Sequence, residues 1–192
     1  MAKYEEAYKI TKAYEGGYVN DPVDFGGETF KGVSRRYYPK WLGWAVIDRA
    51  KTAGNFPDGL KNIAVLDELV QDFYLTEFWD KVSGTLISSQ EVANEIFDTA
   101  VNMGVKRASI FLQQALNAFN NGGKRYQDVS EDGVISNSTL SALDSYLSQL
   151  PARHILKAMN CMQGCHYLER MRTNPSQEKY VVGWFNRVSI DK

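Results

Sequence analysis

The stretch that most constrains this chain runs Glu15-Gly16-Gly17-Tyr18-Val19-Asn20-Asp21-Pro22-Val23-Asp24-Phe25-Gly26-Gly27-Glu28-Thr29-Phe30-Lys31-Gly32-Val33. It begins where a helical pattern stops at two glycines, and it then carries four acidic or amide side chains, the Thr29 hydroxyl and three more glycines. Glycine permits positive φ and close approach of backbone to a ligand. Carboxylates gathered in such a turn serve packing poorly. Two of them in different environments can divide acid and base roles, as glycoside hydrolysis requires.

The helix before this stretch is read from Tyr4, Ala7, Tyr8, Thr11 and Tyr14, which recur at helical spacing over residues 3–14. Glu15 falls at its C-terminal end, where the helix dipole disfavours a carboxylate and raises its pKa, as a general acid needs. From Tyr18 to Val33 the sequence predicts a loop or short hairpin, with turns at Asp21-Pro22 and Gly26-Gly27 and a weak strand at residues 29–33. Glu28 reads as a solvated loop charge. Ser34 is predicted to cap a short helix through Tyr38, stopped by Pro39. A second short helix opens at residues 41–47, and Ile63, Leu66, Leu69, Val70, Phe73 and Phe78 mark a longer one that fades near Trp79.

Ser88 and Glu91, three apart, read as a capping box for a strongly apolar central helix of Val92, Ala93, Ile96, Phe97 and Ala100, closed by Gly104. Ala108, Phe111, Leu112, Ala115, Leu116 and Phe119 make the next helix. Asp132-Gly133 is expected to form a turn ahead of a helix over residues 138–149. A long helix follows Pro151, and Tyr180, Trp184 and Phe185 are expected to pack back on the body. The pattern is almost entirely helical, with no repeat or linker.

Composition bounds function by exclusion. The 192 residues suffice for one domain or two intimate lobes. A net charge of −1 lacks the basic excess of a nucleic-acid binder. No apolar run is long enough to span a bilayer, so no stable membrane insertion is expected, and the N-terminal residues show no secretory signal. The expectation is a protein made in the cytoplasm that acts on the cell wall after release. Cys161 and Cys165, four apart on one helix, are expected as reduced, packed thiols. Their spacing, with His166, does not suit a standard zinc site. Asn20, Asp21, Asp24 and Glu28 cluster oxygens as calcium ligands do, but without EF-hand spacing. The expectation is no metal and no cofactor.

The stretch from Glu15 to Val33 resembles the N-terminal signature of glycoside hydrolase family 108, position by position and without gaps. Phe97-Asp98-Thr99-Ala100-Val101-Asn102-Met103-Gly104 and Gly183-Trp184-Phe185-Asn186-Arg187 resemble the family's C-terminal half, a predicted peptidoglycan domain. The family comprises lysozyme-like N-acetylmuramidases, including phage endolysins and proteins labelled secretion activators. The resemblance implies a mainly α, lysozyme-like fold, a helical body with a small loop- and hairpin-containing lobe bearing the active site. It divides the chain into a catalytic half, residues 1–90, and a C-terminal half, residues 91–192, packed as one unit. It implies peptidoglycan glycan strands as substrate and, by analogy with endolysins, a holin-type exporter.

The same resemblance makes Glu15 the catalytic acid. By similarity to phage-type lysozymes, Asp24 would hold or activate water and Thr29 would help position it, with Asp21 the competing second carboxylate. The room for a water in the loop favours inversion of configuration. Tyr18 is a candidate for substrate binding, as are Trp41 and Trp44, whose aromatic character fits core packing equally well. Asp98 and Asn102 are candidates for binding substrate or supporting the floor of the cleft. A non-catalytic peptidoglycan-binding protein and a lytic transglycosylase are the rival readings.

Overall fold

The computed structural model describes residues 1–12, 16–20, 27–52 and 54–189. These residues form eight α-helices and one three-stranded sheet, divided between two compact units. One unit is Tyr8–Glu77, and the other joins Met1–Ala7 to Phe78–Lys192.

Helix α1 (Tyr4–Lys12) enters the unit Tyr8–Glu77 at Tyr8 and is followed there by strands β1 (Tyr18–Asn20), β2 (Glu28–Phe30) and β3 (Val33–Ser34), an antiparallel sheet in sequence order. Tyr18 pairs with Phe30, Asn20 with Glu28 and Phe30 with Val33. The expected hairpin is therefore present, and the weak strand is broken in two at Lys31-Gly32. Both residues have positive φ, 43° and 80°, which suits a two-residue hairpin loop whose twist matches its strands.

The helix expected from Ser34 does not form. Ser34 is buried and pairs with Thr29 in the ladder, so the backbone is committed to a strand there. Only one turn follows, closed by the Tyr38 amide donating to the Ser34 carbonyl at 2.9 Å.

Helices α2 (Gly43–Ala50) and α3 (Ala64–Tyr74) complete this unit, and α3 passes into a π-helical turn over Leu75–Trp79. Leu66, Val70 and Phe73 share one face of α3, as their spacing predicts, and are buried with Trp44, Ile47, Phe30 and Val33. Gly43 leaves room for the Trp41 ring, which a β-carbon there would meet at 2.1 Å. The Trp41 indole N–H donates to the Leu69 carbonyl at 3.2 Å, and its ring stacks with Phe30. Trp44 is 3% exposed. Of the two readings left open for these tryptophans, packing accounts for both.

The other unit is built on α4 (Gln90–Met103), against which α5 (Val105–Phe119) and α7 (Arg153–Thr173) pack. Val92, Ala93, Ile96, Phe97 and Ala100 are all inaccessible to solvent, and Gly104 ends the helix at φ 90°. The cap is one residue later than expected. Ser89 accepts from the Val92 amide, while Ser88 donates to the Asp144 carboxylate at 2.6 Å.

Helix α6 (Asn137–Leu147) follows the Asp132-Gly133 turn. Buried Gln113 reads that turn with both ends of its amide. Its oxygen accepts from the Gly133 amide at 2.9 Å and its nitrogen donates to Asp132 at 3.0 Å. The C-terminal α8 (Val181–Phe185) packs back as predicted, Trp184 stacking on Tyr167 with centroids 5.3 Å apart.

Candidate active site

Glu15, Asp24 and Asp21, the carboxylates on which the sequence reading turns, lie outside the described residues. Asn20 and Glu28 are register partners and so hold the two ends of the intervening chain at one ladder position. Thr29 follows on β2, its hydroxyl donating to the Gly27 carbonyl at 3.2 Å. Side chains alternate along a strand, so Thr29 stands on the face opposite Glu28, Tyr18 and Phe30.

Glu28 is not the solvated charge that the sequence suggested. Its side chain is 12% exposed and holds Arg35 at 2.6 Å and Lys51 at 2.8 Å. The Tyr18 hydroxyl also donates to it at 3.1 Å. Arg35 grips Asp48 with both guanidinium nitrogens, and Lys51 bridges Asp48 at 2.9 Å. Burial alone would raise the Glu28 pKa. The bonds from Lys51, Arg35 and Tyr18 outweigh it and hold the carboxyl below its usual range. The Tyr18 hydroxyl moves the other way, raised by burial and by its bond to Glu28. Arg35 also stacks over Trp44 at 4.9 Å.

The network ties β1, β2 and the residue after β3 to α2. Its signal was present in the sequence, since Asp48 and Lys51 are three apart on a helix. The strand that turns Glu28 toward them was too short to weigh. Tyr18 itself packs edge-on against Phe56, with centroids 4.8 Å apart.

Asp98 and Asn102 belong to the other unit, one turn apart on α4. Arg187 donates to Asp98 at 2.8 Å, with both side chains largely buried. The Tyr167 hydroxyl donates to Asn102 at 2.9 Å. Burial pushes the Tyr167 pKa strongly upward, with Asp98 adding to the effect. In this unit both residues therefore bind α7 and the C-terminal segment to α4. The structure brings Tyr18 and Thr29 onto one sheet, and Asp98 and Asn102 onto one helix.

Cys161 and Cys165 are free, as expected, but exposed and not packed. They fall on the side of α7 away from Ile155, Met159 and Tyr167, which take the buried positions. Among the described residues no helix is long and apolar enough to cross a membrane.

A helical body with one small hairpin sheet defines a mainly α, lysozyme-like protein. A family model described as glycosyl hydrolase 108 matches residues 8–104, just over half of the chain, and one described as a predicted peptidoglycan domain matches residues 107–189. The chain belongs to glycosyl hydrolase family 108. It is a glycoside hydrolase that acts on peptidoglycan. Among solved structures, that of Brucella abortus SagA is similar, with a TM-score of 0.64 and 24% identity, covering 96% of this chain and 88% of the other. At that identity the likeness speaks to the fold. No curated protein matches.

Proposed function

We propose that this protein is a lysozyme-type N-acetylmuramidase that cleaves between N-acetylmuramic acid and N-acetylglucosamine in the cell wall, with Glu15 as general acid. The observation that carries this reading is the state of Glu28. Of the carboxylates between Glu15 and Val33, Glu28 is paired with two cations and held ionised, so it cannot deliver a proton near neutral pH. The roles of Glu15 as the acid, and of Asp24 or Asp21 for the water, rest on the family to which the run from Glu15 to Val33 belongs. Thr29 lies on β2.

In this mechanism Glu15 protonates the glycosidic oxygen as the bond to the muramic acid carbon breaks. The oxocarbenium-like transition state is met by the second carboxylate and a water, with Thr29 helping to place that water. A water placed between the carboxylates and the sugar gives inversion. Tyr18 borders the sugar-binding surface in this reading. Asp98 and Asn102 act indirectly, through the helix they hold. Action on the cell wall calls for release from the cytoplasm, for which a holin-type exporter is the simplest route.

The test is Glu15→Gln, which keeps size and hydrogen bonding and removes the proton. General acid–base catalysis contributes about 10²–10⁴-fold, so activity on purified peptidoglycan should fall below roughly 1% of wild type with the melting temperature unchanged. Asp24→Asn should be severely impaired and Asp21→Asn mildly. Near-normal clearing by Glu15→Gln would sink the assignment. Mass spectrometry of wild-type products decides the reaction, because hydrolysis adds a water and an anhydro sugar would mean transglycosylation. Absence of reducing ends would leave a binding protein.

A further inference from the structure

The turn ahead of α2 and the C-terminal end of α3 enclose a groove of about 300 Å³, wholly within the unit Tyr8–Glu77. Its floor is apolar. Phe73 is buried, Leu69 and Trp41 are half-buried, and the Trp41 indole N–H is already spent on the Leu69 carbonyl. Leu42 stands at the lip, 71% exposed. Lys40 forms the rim on the turn side, and Asp72 forms it on α3, beside Thr76 and Glu77 of the π-helical turn. Turns of this kind within helices gather at functional sites.

The charges on this rim are what the fold leaves unexplained. Lys40 and Asp72 line one groove with opposite signs, yet neither side chain has an ion pair or hydrogen bond among the described residues. The Thr76 hydroxyl, one turn on, donates to the Asp72 carbonyl at 2.9 Å, and so leaves the carboxylate alone. Asp72 also stands near the negative pole of α3, where a carboxylate is disfavoured, and the last turn of that helix carries no base. Exposed charges do not in general need partners. Two opposite ones over one apolar floor, however, match a ligand that carries both signs on an aliphatic chain.

We propose that this groove receives the diaminodicarboxylic acid residue of a peptidoglycan peptide stem, with Asp72 holding its free ammonium and Lys40 its free carboxylate. The proposal rests on peptidoglycan as the substrate and names a part of it that the glycosidic chemistry does not touch. Charge selects that part. N-acetylated sugars carry no cation, so a glycan strand would leave Asp72 unanswered. The side chain of a diaminodicarboxylic acid ends in an ammonium and a carboxylate on one carbon, and its methylenes suit Leu69 and Phe73. A lysine residue at the same place offers the ammonium and the methylenes but nothing for Lys40. Size agrees. One water needs about 10–15 Å³ of such space, so the groove has room for roughly twenty, enough for one amino-acid residue and too little for a folded partner.

The test titrates three tripeptides into the full chain and follows its amide and indole NMR signals, which report affinity and place together. Each peptide is alanyl-γ-glutamyl followed by meso-diaminopimelate, by lysine, or by meso-diaminopimelate acetylated on its side-chain amine. The wild type should bind the first, with shifts at the Trp41 indole N–H and the Thr76 and Glu77 amides. It should bind the other two about tenfold more weakly, the effect of losing one hydrogen bond between charged groups. Asp72→Asn should bind the free and acetylated diaminopimelate peptides alike, and Lys40→Met should bind the diaminopimelate and lysine peptides alike. Both positions are exposed, so both variants should melt within a few degrees of wild type. Equal binding of all three peptides by the wild type would overturn the proposal. So would shifts confined to another face, selectivity unchanged in both variants, or no binding at millimolar peptide. Glu15→Gln should bind the peptides as the wild type does while its reducing-end release is read separately, so a wrong acid and a wrong groove give different results.

Discussion

At the scale of single residues, ionisation is decided by neighbours. Glu28 and Asp48 share Arg35 and Lys51, and both carboxyls sit below their usual range. For Asp48 the bonds from Arg35 and Lys51 lead. A carboxylate whose folded pKa is depressed stabilises the fold fully above its unfolded pKa, near 4.5 for Glu28. That contribution is lost as the pH falls through the lower folded value. Melting temperature should therefore fall as the pH drops below about 4.5. Glu28→Gln should be less stable than wild type at pH 7 and show a flatter fall with acid, as read by thermal melts across that range. A parallel fall in both proteins would show that the network does not act through Glu28. Asp98 illustrates the same rule, since a largely buried charge is tolerable because Arg187 meets it at 2.8 Å.

At the scale of elements, starts and stops depend on register. Residues 88–91 read as a capping box, yet α4 begins at Gln90 with Ser89 as its cap. Ser89→Ala should cost about 1 kcal/mol in denaturant melts, and equally so in an Asp144→Ala background. The cost of Ser88→Ala should vanish in that background, because its hydroxyl acts only through Asp144. Glycine has two different meanings in the loops of this unit. Gly122 has φ 62° with open space about a β-carbon, whereas at Gly133, φ 81°, a β-carbon would lie 2.9 Å from the Lys106 carbonyl oxygen. Gly122→Ala should cost about 1 kcal/mol from backbone strain alone. Gly133→Ala should cost at least about 1 kcal/mol more, since the clash is with backbone, and a smaller difference would mean that the turn yields.

At the scale of the whole molecule, the chain forms two compact units whose limits differ from those of the family models. The glycosyl hydrolase 108 match runs from residue 8 through α4 to residue 104, while the first unit closes at Glu77. The model is a unit of descent and the compact unit is one of packing, and α4 serves the packing of the helical body. The two thiols test how that body is closed. Both are exposed on α7, so a thiol reagent should titrate two groups in the native protein without denaturant. Replacing both with Ala should leave lytic activity within a few-fold. Slow labelling that needs denaturant would restore the packed reading, and loss of activity with the fold intact would give the thiols a role.

The longer helices, their buried faces and the hairpin were legible in the sequence, because spacing along the chain dictates which side chains share a face. The run from Glu15 to Val33 likewise identified the family, since identity of residues in order needs no folding to be read. Tertiary structure alone decided which charges are paired. Glu28, Arg35, Asp48 and Lys51 are spread over 24 residues of sequence (28 to 51) and meet only when β2 lies against β3 and both turn toward α2. It also decided that Asp98 finds Arg187, 89 positions away. Local pattern reports on neighbours a few residues apart. A carboxylate's ionisation depends on distances of 2.6–2.8 Å across the fold, and no spacing rule encodes those.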